Sequence, residues 1–262
     1  MSELPMIDCE KVTDYLVDFL RKQLALTGLS NFVVGISGGI DSAVVACLAV
    51  RALGKDHVHG FFMPFEHFHT ESALHVQLLA DYLAINVQTV DITDQLNVYF
   101  SRYFLTDVTR RGNKMARERM AVLFDQSKQY NALVVGTSNK TETLLGYGTL
   151  FGDGAWSLNP IGDLYKTHIR ALAQYLGVPE VFITKPPSAG LWEGQTDEGE
   201  LGYAYALMDK LLYHALDLGK QKEELLTLGF EETMIDVLLD RVQANAFKSK
   251  PAPVAFLKGA FY

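Results

Sequence analysis

The chain has 262 residues, 48% hydrophobic and 21% charged, a composition that excludes an intrinsically disordered protein and supplies enough apolar side chains for a full core. The longest apolar run, residues 43–50, is far shorter than the ~20 residues a bilayer-spanning helix needs. With 23 basic against 31 acidic residues the formal net charge is −8, so nucleic acid is excluded as the main partner and an anionic ligand must meet a local basic cluster.

The N-terminal MSELPMIDCEK carries acids where a secretory signal carries basic residues, which predicts a cytoplasmic protein. Val12, Leu16, Phe19, Leu20 and Leu24 recur at helical spacing and predict a helix over 4–26, stopped by Gly28. Residues 31–36 (NFVVGI) form the continuous apolar run of a parallel strand covered on both faces. A helix follows over 40–53, containing Cys47 as a small buried hydrophobe; with Cys9 it is too little for a disulfide framework or a cysteine-rich zinc site. Residues 57–63 read as a strand ended by Pro64, 70–84 as a helix, 86–90 as a short strand, 94–104 and 113–130 as helices, and 132–136 as a fourth strand.

Four strands, each followed by helical sequence, predict an α/β fold with a doubly wound parallel sheet and right-handed crossovers. From Asn159 onward the pattern turns helical, over 164–176, 197–218, 223–228 and 231–247, with the turn-rich stretch 185–199 reading as a lid or binding loop. The expected organisation is one domain over 1–262: an N-terminal helix to residue 30, a nucleotide-binding core over 31–158 and a helical C-terminal part over 159–262.

After the first strand comes Ser37-Gly38-Gly39-Ile40-Asp41-Ser42, at a predicted helix start. Two glycines let backbone approach an anion, the serines supply hydroxyls, and the helix N-terminus adds free N–H groups and the positive end of a dipole. A plain strand-to-helix turn, with Asp41 complementing the dipole, is the alternative. No Gly-Lys-Ser/Thr of a Walker loop follows, and no G-x-G-x-x-G dinucleotide fingerprint occurs. SGGIDS resembles the signature loop of the N-type ATP pyrophosphatases, enzymes with an adenine nucleotide alpha hydrolase-like fold that split ATP into AMP and pyrophosphate.

The fourth strand ends in Gly136-Thr137-Ser138-Asn139-Lys140-Thr141-Glu142. Ligands of open α/β sheets bind at the carboxyl ends of strands, so this loop is expected beside SGGIDS. Asn139 and Glu142 also have the spacing of a helix capping box. Together with NPIGDLYKTHIRALAQYLGVP, KPPSAGLWEGQTDE and ELGYAY, these motifs make the chain similar to the ammonia-dependent NAD synthetase family from Phe32 to Lys248.

That resemblance implies ATP-dependent amidation of nicotinic acid adenine dinucleotide (deamido-NAD) to NAD, through an adenylated intermediate, with Mg²⁺ as cofactor. It places Gly35, Ile36, Ser37, Gly38, Gly39, Ile40, Asp41, Ser42, Thr137, Lys166 and Ser188 on ATP, with Asp41 and Lys166 as the catalytic pair. Asp41 and Glu142 would hold the metal, and Arg117 and Lys248 the dinucleotide. A homodimer is implied. The glycine loop begins at Ser37, which leaves room for one helix and no amidotransferase domain ahead of it, so free ammonia is the expected nitrogen donor.

Leu150 and Ser157 stand where many relatives have a lysine and an aspartate, and Phe247-Lys248-Ser249 where many have His-Lys-Arg. Rival readings are another ATP pyrophosphatase, such as a tRNA-modifying enzyme, and a non-catalytic adenine-nucleotide sensor. The segment RRGNKMARER, residues 110–119, holds five basic residues and supplies the positive cluster that the net charge requires, unless it is a solvated helix face. His57 and His59 would share one strand face, a geometry open to zinc, with His67 and His69 downstream; the alternatives are plain strand-end histidines and a place near the adenine. Tyr99, Phe100, Tyr103 and Phe104 recur at helical spacing and predict core or dimer packing.

Overall fold

A computed structural model describes residues 3–66, 70–188, 190, 194–256 and 259. In chain order the first half contains α1 (Cys9–Ala25), β1 (Asn31–Gly35), α2 (Ile40–Leu53), β2 (Val58–Phe62), α3 (Thr70–Leu83), β3 (Asn86–Thr89), α4 (Thr93–Arg102), α5 (Val108–Gln129) and β4 (Ala132–Val135). There follow α6 (Lys140–Leu145), α7 (Lys166–Leu176), α8 (Glu180–Thr184), α9 (Asp197–Leu201), α10 (Tyr205–Leu212), α11 (Lys222–Thr227) and α12 (Glu232–Asn245).

The strands form a four-stranded parallel sheet in the order β3-β2-β1-β4, as the doubly wound reading requires. Alternate side chains of a strand face opposite sides, so β1 serves two cores at once. Phe32 and Val34 join α1, α2 and α7 on one face. Val33 joins Phe61, Leu96, Phe100 and Met115, bringing in α4 and α5, on the other. The apolar run after the glycine loop becomes α2, buried from Ser42 through Ala49, which is what a helix hydrophobic all round demands. Burial pushes the Cys47 thiol within it up to about 12, which leaves that sulfur no thiolate chemistry. A third cluster, built on Tyr165, Tyr205, Met208, Leu211 and Ile235, holds the C-terminal helices together.

The structure differs from the sequence expectations at element ends. The first helix starts at Cys9 and not near Leu4, because the Asp8 carboxylate caps it by accepting from the Lys11 N–H, while Leu4 is buried in the C-terminal cluster. Helix α5 begins five residues early, capped by Asp107 through the Arg110 N–H at 2.7 Å. The single helix expected over 197–218 is broken: Gly202, at φ +82°, ends α9 in the left-handed region, and one π-helical turn spans 213–217. Short helices α6 and α8 add to the expected set. Beyond β4, Val135 bridges Leu158 in parallel, so residues next to Ser157 extend the sheet edge. No helix among the described residues is long and apolar enough to cross a membrane.

Leu48 is fully buried in the core on the α1–α2 face. Its replacement by alanine is expected to cost about 2–5 kcal/mol, read as a lower midpoint at unchanged slope in urea unfolding.

Candidate functional site

From β1 the chain builds outward to β2 and β3, then returns to lay β4 on the other side of β1. The loops leaving β1 and β4 therefore diverge, and a crevice opens between them at the carboxyl ends of the strands. The crevice has a volume of about 970 Å³. Lining it are Gly35, Ile36, Ser37, Gly39, Ile40, Asp41 and Ser42 from the first loop, Thr137 and Glu142 from the second, and Lys166, Ser188 and Lys248 from the helical part. Residues as far apart in sequence as Gly35 and Lys248 thus face one space.

The glycine loop is braced from within. Ser42 Oγ donates to the Gly39 carbonyl at 2.9 Å and accepts from the Ser37 N–H at 3.3 Å, and the Gly39 N–H reaches Ser37 Oγ at 3.2 Å. Gly39 caps α2 without a side chain, so no hydroxyl or carboxylate covers the first-turn N–H groups. Gly38 is buried at φ +79°, and a Cβ there would lie 2.9 Å from the Ser72 carbonyl oxygen. It stands behind the cleft lining and shapes the loop from that side.

At the second loop Asn139 and Glu142 form the capping box: the Glu142 N–H donates to Asn139 Oδ1 at 3.0 Å and the Asn139 N–H to Glu142 Oε2 at 3.2 Å. Asn139 Nδ2 also donates to Asp41 Oδ1 at 3.0 Å, which ties the two loops together. Glu142 Oε1 lies toward Lys166 on the cleft side, so the capping box leaves one carboxylate oxygen facing the crevice.

Lys166 opens α7, and its Nζ lies 2.5 Å from Asp41 Oδ2 and 3.4 Å from Glu142 Oε1, with its side chain only 3% exposed. Burial works to lower the pKa of this ammonium, but Asp41 and Glu142 outweigh it and hold the proton on. For Glu142, burial pushes the carboxyl up despite Lys166, since one ammonium is shared with Asp41. Behind the pair lies Asp209 of α10, fully buried, accepting from Thr141 Oγ1 at 2.6 Å, Thr167 N–H at 2.7 Å and Thr167 Oγ1 at 2.6 Å. Thr141 and Thr167 are the chain neighbours of Glu142 and Lys166, so this carboxylate fixes the first turns of α6 and α7 relative to each other.

Sequence reasoning singled out neither Asp209 nor several other residues of the cleft. Asp197, the first residue of α9, accepts from the hydroxyls of Tyr147 at 3.0 Å and Tyr205 at 3.1 Å, and burial raises its carboxyl. Arg119, Lys185 and Arg241 also line the space. The motifs GQTDE and ELGYAY contain Asp197 and Tyr205, a signal that was present without indicating a role.

The basic segment of α5 is not one patch. Arg111 lies over the Phe100 ring at 4.3 Å, Lys114 pairs with Glu118 at 2.6 Å, and Arg119 alone of the five basic residues lines the cleft. A helix turns about 100° per residue, so a run of bases radiates to several sides. Arg117 is exposed, outside the lining, with Nε donating to the Leu150 carbonyl at 3.2 Å. Lys248 donates to the carbonyls of Gly146 at 2.8 Å and Gly148 at 3.1 Å. Ser157 Oγ accepts from the Val134 N–H, and Ser188 Oγ from the Gly190 N–H.

His57 Nδ1 is 2.9 Å from Asn31 Oδ1 and His59 stacks on Tyr130, so each has a neighbour other than a metal; His67 and His69 lie outside the described residues. Of Tyr99, Phe100, Tyr103 and Phe104, only Phe100 is buried.

Comparison with known proteins gives a consistent set of likenesses. The NAD synthase family profile matches residues 12–252. The NH(3)-dependent NAD(+) synthetase of Fusobacterium nucleatum is 47% identical over 96% of this chain and 98% of its own length. Among solved structures, the NH3-dependent NAD synthetase of Campylobacter jejuni superposes with a TM-score of 0.81 at 35% identity, covering 95% of this chain and 100% of that one. The NMN synthetase of Francisella tularensis superposes at 0.84 with 32% identity, over 95% and 99%.

Gly38→Ala is expected to place a Cβ against the Ser72 backbone and to strain a left-handed residue by roughly 1–3 kcal/mol. ATP binding measured by calorimetry should weaken about tenfold or more, with the far-UV spectrum unchanged.

Proposed function

The chain belongs to the NAD synthase family, and from that premise we infer how its site residues divide the reaction. The enzyme amidates nicotinic acid adenine dinucleotide to NAD, consuming ATP and ammonia. A carboxylate resists attack by ammonia, so activation comes first. A nicotinate oxygen bonds to the α-phosphorus of ATP and the bond from that phosphorus to pyrophosphate breaks. Ammonia then bonds to the acyl carbon, the carbon–oxygen bond to AMP breaks, and the nitrogen loses a proton to give the amide.

The observation that carries the reading is the buried ammonium of Lys166 between Asp41 and Glu142, beside a glycine loop whose helix N-terminus faces the cleft. In this reading Ser37, Gly39 and Ser42 cradle the ATP phosphates while Gly38, outside the lining, shapes their loop from behind, Thr137 and Ser188 add hydroxyl contacts, and Lys166 neutralises charge on the departing pyrophosphate. Asp41 and Glu142 already flank one cation, and two hard carboxylates completed by phosphate oxygens and water suit Mg²⁺. Among the described residues no group of three or more His, Cys, Asp or Glu is placed to hold a metal ion, so the proposed site has two protein carboxylates only. When bound there, the ion would supply further neutralisation of the triphosphate. Lys248 would exchange the Gly146 and Gly148 carbonyls for the dinucleotide. Arg117 would meet that ligand only beyond the cleft, beside Leu150.

A homodimer completes the proposal. Tyr99, Tyr103 and Phe104 are 40%, 59% and 89% exposed on and just after α4, an apolar face suited to a second copy. Phe104→Asp is expected to shift sedimentation from dimer to monomer; a monomeric wild type would remove the idea.

The reaction itself is tested by incubating the protein with ATP, Mg²⁺ and ammonium, and with either the dinucleotide or nicotinic acid mononucleotide. NAD should form from the dinucleotide with ammonium alone, and faster than the mononucleotide is amidated. Glu142→Ala should cut turnover by about 100-fold or more and shift its Mg²⁺ dependence upward. Unchanged Mg²⁺ dependence would remove Glu142 from the metal site.

A further inference from the structure

The described lining of the cleft carries five basic side chains, Arg119, Lys166, Lys185, Arg241 and Lys248, and six carboxyl groups, so bases are not in formal excess there. A triphosphate cannot rely on bulk attraction there and needs cations placed at its oxygens. Each of the bases other than Lys185 has at least one protein partner within 3.1 Å. Lys166 is held by two carboxylates, Arg119 donates to the Met63 carbonyl at 3.0 Å, Arg241 to the Leu145 carbonyl at 3.1 Å, and Lys248 to two glycine carbonyls.

Lys185 is different. Its Nζ lies 3.4 Å from Ser72 Oγ, 3.5 Å from His75 Nδ1 and 3.7 Å from Glu71 Oε2, all long contacts. Glu71 is 72% exposed, so solvent weakens that pair. These are contacts an ammonium gives up readily. Their position is specific: Ser72 is the residue whose backbone packs against Gly38, so Lys185 stands one residue away from the glycine loop, on the α3 side, while Lys166 reaches the site from α7.

The chain between Lys185 and Ser188 is Pro186-Pro187, whose rings fix φ at two successive residues. The Pro187 carbonyl accepts from the Asp197 N–H at 3.0 Å, which anchors this stiff segment to the start of α9. Lys185 and Ser188 are thereby presented to the cleft at a nearly fixed separation.

We propose that Lys185 is a second polyphosphate-binding lysine, which leaves Glu71, Ser72 and His75 to hold the terminal phosphates of ATP and then the pyrophosphate released from it. Its role is to bind charge and it transfers no proton; the bond that breaks is the one between the α-phosphorus and the pyrophosphate oxygen. The proposal rests on the reading of this cleft as an ATP-splitting site.

Inorganic pyrophosphate and AMP, each competing with ATP in the presence of Mg²⁺, separate the two ends of the nucleotide. Lys185→Ala is expected to weaken pyrophosphate about tenfold or more, with AMP changed less than about twofold and Lys185→Arg restoring most of the loss. Unchanged pyrophosphate affinity overturns the proposal. Equal weakening of both probes overturns it too, since that reports general damage to the site. If the wild type binds ATP but forms no NAD while Lys185→Ala still loses pyrophosphate selectively, the amidation reading falls and the polyphosphate role stands.

Discussion

The Lys166 ammonium sits between a carboxylate delivered by the loop after β1 and another delivered by the loop after β4. Removing a charged group from water is costly unless partners compensate it, so loss of any one of the three raises the cost of keeping the others charged at this depth. Without the ammonium, Asp41 and Glu142 would repel across a narrow crevice. Without them, a lysine that is almost wholly enclosed would lose its proton or the fold would open. Much of the architecture acts to keep this triad in register: β1 and β4 must be neighbours, and α7 must begin over the crevice.

Several other features share that task. Glu142 spends one oxygen on the cap of α6 and turns the other to Lys166, so a local rule of helix initiation also sets the geometry of the site. Asp209 does the same from behind, with three uncharged donors converging on a buried carboxylate that links α10 to the neighbours of both charged residues. The helical C-terminal part is therefore a wall that fixes the site. The core around α2 gives the glycine loop a rigid base, since the helix that begins at Ile40 is enclosed from its first turns.

Much of this was legible in the amino-acid order. The apolar runs of β1 and β4, the helical spacing of α1 and α7, and the two strand-end motifs are local patterns, and each formed where the periodicity indicated. The capping spacing of Asn139 and Glu142 was legible too, because it needs only four consecutive residues. Element ends were less so: Asp8 and Asp107 set helix starts through single hydrogen bonds that compete with a continuing hydrophobic pattern, and Gly202 breaks what looks like one long helix.

By itself, then, the sequence determined the order of strands and helices, the glycine loop and the residue types that phosphate and metal chemistry require, since all of these depend on neighbours within one turn or one strand. Only the tertiary structure decided that Arg119 and not Arg117 faces the cleft, that Asp197 joins its lining while Asp209 stands behind the triad, and that Lys185 rests on α3 near Gly38. Those facts depend on how helices distant in sequence rotate and pack, and a helix turns by about 100° per residue, so the facing of any one charge follows from contacts that no local pattern encodes.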